Sequence, residues 1–219
     1  MEKFLSKKLV QRLIFVTLAF SVLASIGLSI LVHYIPVAKT DLAISTEIQG
    51  NQSHALYVLM RAVSFVGDPL VAAGTIIVAA LFLIGIQYQR EALFMLLVPI
   101  ADLAGTIVKN IIDRPRPSDF FVKIYTQTSG SSFPSGHVIH VVMFFGYVFA
   151  LLLTIKTVPS LLRWAGTAFS IFMIIFISIS RIYLGAHWAS DVIGGYLIAF
   201  PLLAALLLAY FKITSPRQL

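Results

Sequence analysis

In the stretch Ser180-Arg181-Ile182-Tyr183-Leu184-Gly185-Ala186-His187-Trp188-Ala189-Ser190-Asp191, a guanidinium, an imidazole and a carboxylate lie between two apolar runs. Polar groups are costly in such surroundings and need a reason to be there. A helix that begins near His187 and continues through Asp191 stacks the two side chains by i,i+4 spacing, so that Asp191 accepts the Nδ1–H of His187. Nε2 is then free of its proton, as a nucleophile requires. A second stretch, Lys109-Asn110-Ile111-Ile112-Asp113-Arg114-Pro115-Arg116-Pro117, holds Lys109 and Arg116 at one membrane boundary, with prolines that end any helix there. Taken alone, these two cations also read as interfacial anchors. The third stretch, Pro134-Ser135-Gly136-His137, directly precedes an apolar run. A helix starting there offers free N–H groups and a positive dipole end, and Gly136 lets an anion approach the backbone. The plain alternative is that Ser135 is only an N-cap and His137 an interfacial histidine.

Together, Lys109, Arg116 and Arg181, a backbone anion nest and two histidines describe a site for a phosphate group, attacked by one histidine and released with help from the other. The spacings Lys109-x6-Arg116-Pro117, Pro134-Ser135-Gly136-His137 and Ser180-Arg181-x5-His187-x3-Asp191 resemble the three signature motifs of the type 2 phosphatidic acid phosphatase superfamily, and all three match without departure. Within it the chain looks most like the small bacterial membrane enzymes of the phosphatidylglycerophosphatase B type. The resemblance implies His187 as a nucleophile that becomes phosphohistidine, Asp191 as its orienter and His137 as the general acid to the leaving alkoxide. It further implies that Lys109, Arg116, Ser135, Gly136 and Arg181 bind the phosphoryl oxygens, that no metal or other cofactor takes part, and that the substrate is a lipid phosphate. Phosphatidylglycerophosphate is the expected substrate, beside phosphatidate and prenyl diphosphates; undecaprenyl pyrophosphate for cell-wall carrier recycling is the alternative. The physical reading agrees: phosphoryl transfer asks mainly for positioning and charge stabilisation, and three fixed cations can stand in for magnesium.

Rival classes read the same residues otherwise. A transport or binding protein would use a polar cluster as a permeation path, which leaves the oriented histidine unexplained. A phosphotransferase would share the phosphohistidine and differ only in acceptor. A vanadate-dependent haloperoxidase shares similar motifs in family terms, but apolar spans argue for lipid.

The elements that must hold these residues are membrane helices. Of 219 residues, 59% are hydrophobic and 11% charged, and mean hydropathy is +0.95, so an all-α integral membrane bundle is expected. Apolar runs at 13–32, 70–87, 92–108, 138–156, 164–180 and 192–211 give six transmembrane helices, including those with Pro99 and Pro201 inside. The first is read as a retained helix with its amino terminus inside, since a signal peptide has a shorter apolar region. Residues 35–69 read as amphipathic helices at the interface, with His54 and Asp68 as surface or capping residues. Gly194-Gly195 marks close helix packing. The net charge of +7 belongs to topology and anionic lipid rather than nucleic acid. With Lys39, Arg61, Arg114 and Lys123 as the unexplained outside charges, the positive-inside rule puts every motif on the extracytoplasmic side, and the resemblance implies that the membrane is a bacterial plasma membrane. No cysteine is present, which excludes disulfides and thiolate metal sites.

A single membrane-embedded domain, 1–219, is expected; the oligomeric state is left open. His140, one turn beyond His137, invites an H-x-x-H metal site, against which stand the nearby cations and the lack of a third ligand. Asp102 is expected to pair within the bundle. Trp188, Tyr183 and Trp164 are read as interfacial aromatic belts. Phe120, Phe121 and Tyr125 either rest on lipid or pack down the long 109–137 connection.

Overall fold

Apolar runs of this length satisfy their backbone polar groups inside lipid only as helices, and the computed structural model, which describes residues 7–213, contains helices and no strand among them. In order they are α1 (Lys7–Tyr34), α2 (Lys39–Gln49), α3 (His54–Phe65), α4 (Pro69–Gly85), α5 (Gln89–Met95), α6 (Pro99–Ile112), α7 (Gly136–Thr154), α8 (Ser160–Tyr183) and α9 (Ala189–Ile213). Five described segments are long and apolar enough to cross a membrane: Phe15–Tyr34, Gln89–Ile112, Gly136–Thr154, Ser160–Tyr183 and Ala189–Ile213. The sixth expected span, 70–87, is met by α4 only together with α3, and the two are bent by 59° at the break between them. Pro69, at the start of α4, cannot continue the ladder of α3.

The two prolines expected inside spans behave differently. At Pro99 the span breaks into α5 and α6, and the strained stretch tightens to i−3 bonds, with Leu97 N donating to Phe94 O and Val98 N to Met95 O. Pro201 sits within an unbroken α9. A proline there frees the carbonyl of residue 197, and Ser21 Oγ of α1 donates to Leu197 O at 3.0 Å. The neighbouring helix thus supplies the missing donor.

α7 is the most buried span and packs against α6, α8 and α9. Glycines set its closest approaches. A Cβ on Gly194 would stand 2.3 Å from Phe133 Cε2, and one on Gly195 2.9 Å from Val138 Cβ, so α9 presses on the entry to α7 as the Gly-Gly pair led one to expect. α2 and α3 lie at the same end as that entry, and Gln49 of α2 ties the long loop down: its Nε2 donates to Lys123 O and Tyr183 O, and its Oε1 accepts from Lys123 N.

The aromatic residues divide. Trp164 is exposed, as a belt residue would be, but Trp188 and Tyr183 are fully buried. Trp188 Nε1 donates to Pro115 O at 3.3 Å, and Tyr183 stacks on Tyr125 with centroids 5.5 Å apart. Both pin the loop to the helices rather than mark an interface. Phe121 packs edge-on to Trp188, while Phe120 is 85% exposed.

Candidate active site

The turn between α8 and α9 presents His187. Gly185 adopts φ +69°, and a Cβ there would lie 2.2 Å from Lys123 O, so only glycine fits this bend. His187 precedes the first residue of α9, so the turn, not a shared helical face, sets its position. Its Nδ1 stands 3.4 Å from Asp191 Oδ2, an ion-pair contact that is not aligned as a hydrogen bond, which corrects the expected direct bond.

Asp191 is held chiefly by another residue. Arg114 is fully buried and spans two carboxylates, with Nη1 on Asp191 Oδ1 at 2.5 Å and Nη2 on Asp41 Oδ2 at 2.7 Å. Its Nε donates to Pro36 O, and Asp41 in turn accepts from Ser190 N and Ser190 Oγ. Asp191 Oδ2 accepts from Trp188 N at 2.9 Å. Arg114, counted above among the unexplained outside charges, is therefore the internal tie between α2, the loop and the start of α9. Its forked, permanently charged group suits two acceptors at once.

Around His187 the cations converge. Arg116 donates through Nη1 to Ala186 O at 2.8 Å and through Nε to Gly130 O at 2.9 Å, and the same Nη1 stands 3.4 Å from His187 Nε2. A guanidinium carries only donors, so an N–H facing Nε2 fits a ring whose proton is on Nδ1. Lys109 Nζ donates to Ser131 O at 3.1 Å. Arg181 donates through Nη1 to Ser64 Oγ, while its buried Nε and Nη2 have no partner. Burial, then Arg181, Arg116 and Lys109, push the His187 imidazole well below its usual range. Burial also lowers Arg116, opposed by Asp191.

The third stretch closes the site. Ser135 stands at the cap position of α7, yet its Oγ makes no capping bond and is buried without a partner. Its backbone N donates to Asp191 O at 3.0 Å, joining the start of α7 to that of α9. A Cβ on Gly136 would meet only Lys109 Cε, at 3.9 Å, so the space beside it is open to an anion. His137 Nε2 lies 3.0 Å from Asp68 Oδ1. Asp68 is thus not merely a cap or surface residue; its carboxylate makes no cap bond and meets the second histidine. Gly67 makes room for that ring, since a Cβ there would stand 2.6 Å from His137 Cδ2.

A cavity of about 600 Å³ is lined by Asp68, Lys109, Arg116, His137, Arg181 and His187. The structure brings all the expected site residues to it or to its wall: Gly136 lines it, while Ser135 and Asp191 stand just behind. The sequence alone assigns no site role to Asp41, Ser64, Gly67, Asp68 or Arg114. Two signals were present: a Gly-Asp-Pro at a span start, and a further arginine inside the proline-bounded stretch. Asp102 finds its partner in His140, Nδ1 to Oδ2 at 3.0 Å; His54 starts α3 away from the cavity. Among the described residues no three His, Asp or Glu side chains gather as a metal would need.

Helices holding two histidines and three cations around one cavity define a membrane-embedded site for an anionic group. The sequence profile of the PAP2 superfamily matches residues 90–215, more than half of the chain, and the chain belongs to this family. It is similar to phosphatidylglycerophosphatase B of Bacillus subtilis, 35% identical over 109 residues, covering 48% of this chain and 51% of that protein. It is also similar to lipid phosphate phosphatase delta of Arabidopsis thaliana, 28% identical over 111 residues, with 47% and 27% covered. The match thus spans about half or less of these relatives' length. In fold it resembles the crystal structure of a transmembrane PAP2-type phosphatidylglycerolphosphate phosphatase from Bacillus subtilis, with TM-score 0.80 and 23% identity over 92% of this chain and 99% of the other.

Proposed function

We propose that this chain is a single membrane-embedded lipid phosphatase domain that hydrolyses phosphatidylglycerophosphate to phosphatidylglycerol and phosphate, without a metal, at the extracytoplasmic face of a bacterial plasma membrane. The observation that carries the reading is the pair of buried, unpartnered donors on Arg181 beside a buried His187. Unpaired buried donors are expensive, and phosphoryl oxygens are the acceptors that satisfy them. Lys109, Arg116 and the N–H groups at the start of α7 take the remaining oxygens.

The steps follow from these placements. His187 Nε2 attacks phosphorus, the P–O ester bond breaks, and its electron pair leaves on the alkoxide, which takes a proton from His137. Asp68 accepts from Nε2 of His137, so Nδ1 is the atom that gives and regains the mobile proton. Water then attacks phosphorus and passes its proton to His137, the P–N bond breaks with its electron pair returning to His187 Nε2, and inorganic phosphate departs. Splitting hydrolysis in two lowers each barrier, and charge stabilisation by fixed donors does most of the rest. Asp191, itself fixed by Arg114, holds His187 against the cavity. The names of the curated relatives support the substrate class, and the Bacillus subtilis relative supports the choice of phosphatidylglycerophosphate.

The test is phosphate release from phosphatidylglycerophosphate by the purified protein in detergent with excess chelator. Wild type should turn over and form an acid-labile phosphoenzyme, and His187→Ala should lose both. Hydrolysis by His187→Ala at a wild-type rate would reject the assignment, and activity that requires added magnesium would reject its metal independence.

A further inference from the structure

Deeper along the same cavity lies a third histidine–carboxylate pair, one that the phosphoryl transfer does not use. Asp102 of α6 and His140 of α7 both line it, with Thr106 and Gly105 alongside. Gly105 brings the helices together, since a Cβ there would stand 2.5 Å from Ile139 Cδ1. His140 is 3% exposed, its Nδ1 lies 3.0 Å from Asp102 Oδ2, and its buried Nε2 has no partner. The Asp102 side chain is 36% exposed, and its Oδ1 has no bonding partner among the described residues.

An intramembrane carboxylate is costly to keep unless it is used, and an imidazole with an orphaned buried nitrogen adds to that cost. What the pair achieves is to fix one carboxylate oxygen and leave the other, on a residue that lines the cavity, free to accept. Such an oxygen accepts hydrogen bonds and repels anions. His140 lies three residues beyond His137, roughly 4.5 Å further along the helix. A group bound at Asp102 therefore belongs to the leaving group of a phosphate held at His187, close to the scissile ester.

We infer that Asp102, positioned by His140, accepts the free hydroxyl on the carbon next to the scissile ester carbon and so selects a phosphorylated glycerol headgroup. This rests on the phosphoryl site proposed above. Phosphatidylglycerophosphate carries such a hydroxyl. The diacylglycerol of phosphatidate has none free, and a prenyl diphosphate would bring a second phosphate against the carboxylate. A site built to bond a hydroxyl discriminates strongly against the analogue that lacks it. His140 is a positioning residue here, and Asp102 the specificity determinant.

The experiment compares kcat/KM on phosphatidylglycerophosphate, on its analogue with a deoxy bridge (propanediol in place of glycerol) and on phosphatidate. Wild type should prefer the natural substrate to the deoxy analogue by roughly 10- to 100-fold. Asp102→Ala should erase that preference and leave the phosphatidate rate within about threefold, the margin expected if only one hydroxyl contact is lost. His140→Phe, which keeps the ring contact with Phe144, should weaken the preference in part. Equal use of the natural and deoxy substrates by wild type overturns the inference, and that measurement needs no variant to fold. A uniform loss on all three substrates in Asp102→Ala also overturns it, as a mere tie between α6 and α7 would behave so. Failure of the underlying reading looks different: wild type then shows no His187-dependent hydrolysis of any of the three, which removes both.

Discussion

A nucleophilic histidine must be neutral and an acid histidine must carry a proton, although both line one cavity; the carboxylates assigned to them divide the work. Asp68 meets His137 directly at 3.0 Å, whereas Asp191 meets His187 only at 3.4 Å and is largely spent on Arg114. Asp68→Asn should therefore act through His137, slowing alkyl lipid phosphates by roughly 100- to 1,000-fold, within the range of lost general acid catalysis. An activated aryl phosphate, whose leaving group needs little protonation, should be nearly spared. The ratio of aryl to alkyl rates in Asp68→Asn, compared with His137→Ala, checks this, and a ratio equal to wild type removes Asp68 from the role. The nucleophile makes a pH prediction. Burial and then the cations lower His187, so Nε2 stays unprotonated at pH values where a free imidazole, near 6.5, would be charging. The rate needs the neutral ring, hence the acid limb of kcat/KM should lie below the ordinary imidazole value. Arg116→Gln removes one of those cations. Its limb should move upward on the same substrate, whose own ionisation then cancels; a limb that stays in place or falls contradicts the argument.

Elements place these side chains by breaking where they would be expected to run on. Between α3 and α4 the chain turns by 59°, and at that bend Gly67 packs against the ring of His137 while Asp68 bonds it. Gly67→Ala should displace the imidazole, because a methyl 2.6 Å from Cδ2 cannot be accommodated without movement. We expect a loss of about 100-fold on lipid phosphates, the scale of an ångström of misplacement, with the phosphoenzyme still formed by aryl phosphate. Unchanged lipid turnover would show that the bend does not position the acid. The same bend explains what was legible beforehand. The residues of the three motifs carry their meaning in local spacing, so Lys109, Arg116, His137, Arg181 and His187 could be expected to meet. Asp41, Asp68 and Arg114 act across separations of 73, 69 and 77 residues along the chain, and no local pattern encodes such partners. The span at 70–87 is largely α4, but the 59° bend that precedes it was not legible, because hydropathy registers apolar length and not direction. Trp188 and Tyr183 were misread for a related reason: aromatic residues at span ends look alike whether they face lipid or a loop folded over them.

For the molecule as a whole, the open question of consequence is which side of the membrane the cavity faces, and the structure alters the charge count on which that rests. Four basic residues at the cavity end lacked an explanation in the sequence. Arg114 is consumed by two buried carboxylates. Lys39, Arg61 and Lys123 remain. At the opposite end Arg90 opens α5, Lys156 and Arg163 flank the turn between α7 and α8, and Lys212 lies in the last turn of α9. Basic residues retained on one side set orientation, which supports the proposal of a cytoplasmic location for this end and an outward-facing cavity. The chain has no cysteine, and single cysteines can report the answer cleanly. Asp119 is exposed in the loop above the cavity and Ser160 is exposed at the start of α8, on the opposite end. In intact cells an impermeant maleimide should label Asp119→Cys, whereas Ser160→Cys should react only after the membrane is opened. The reverse pattern would place the cavity in the cytoplasm, and the phosphate released there would be returned to the cell rather than lost outside it.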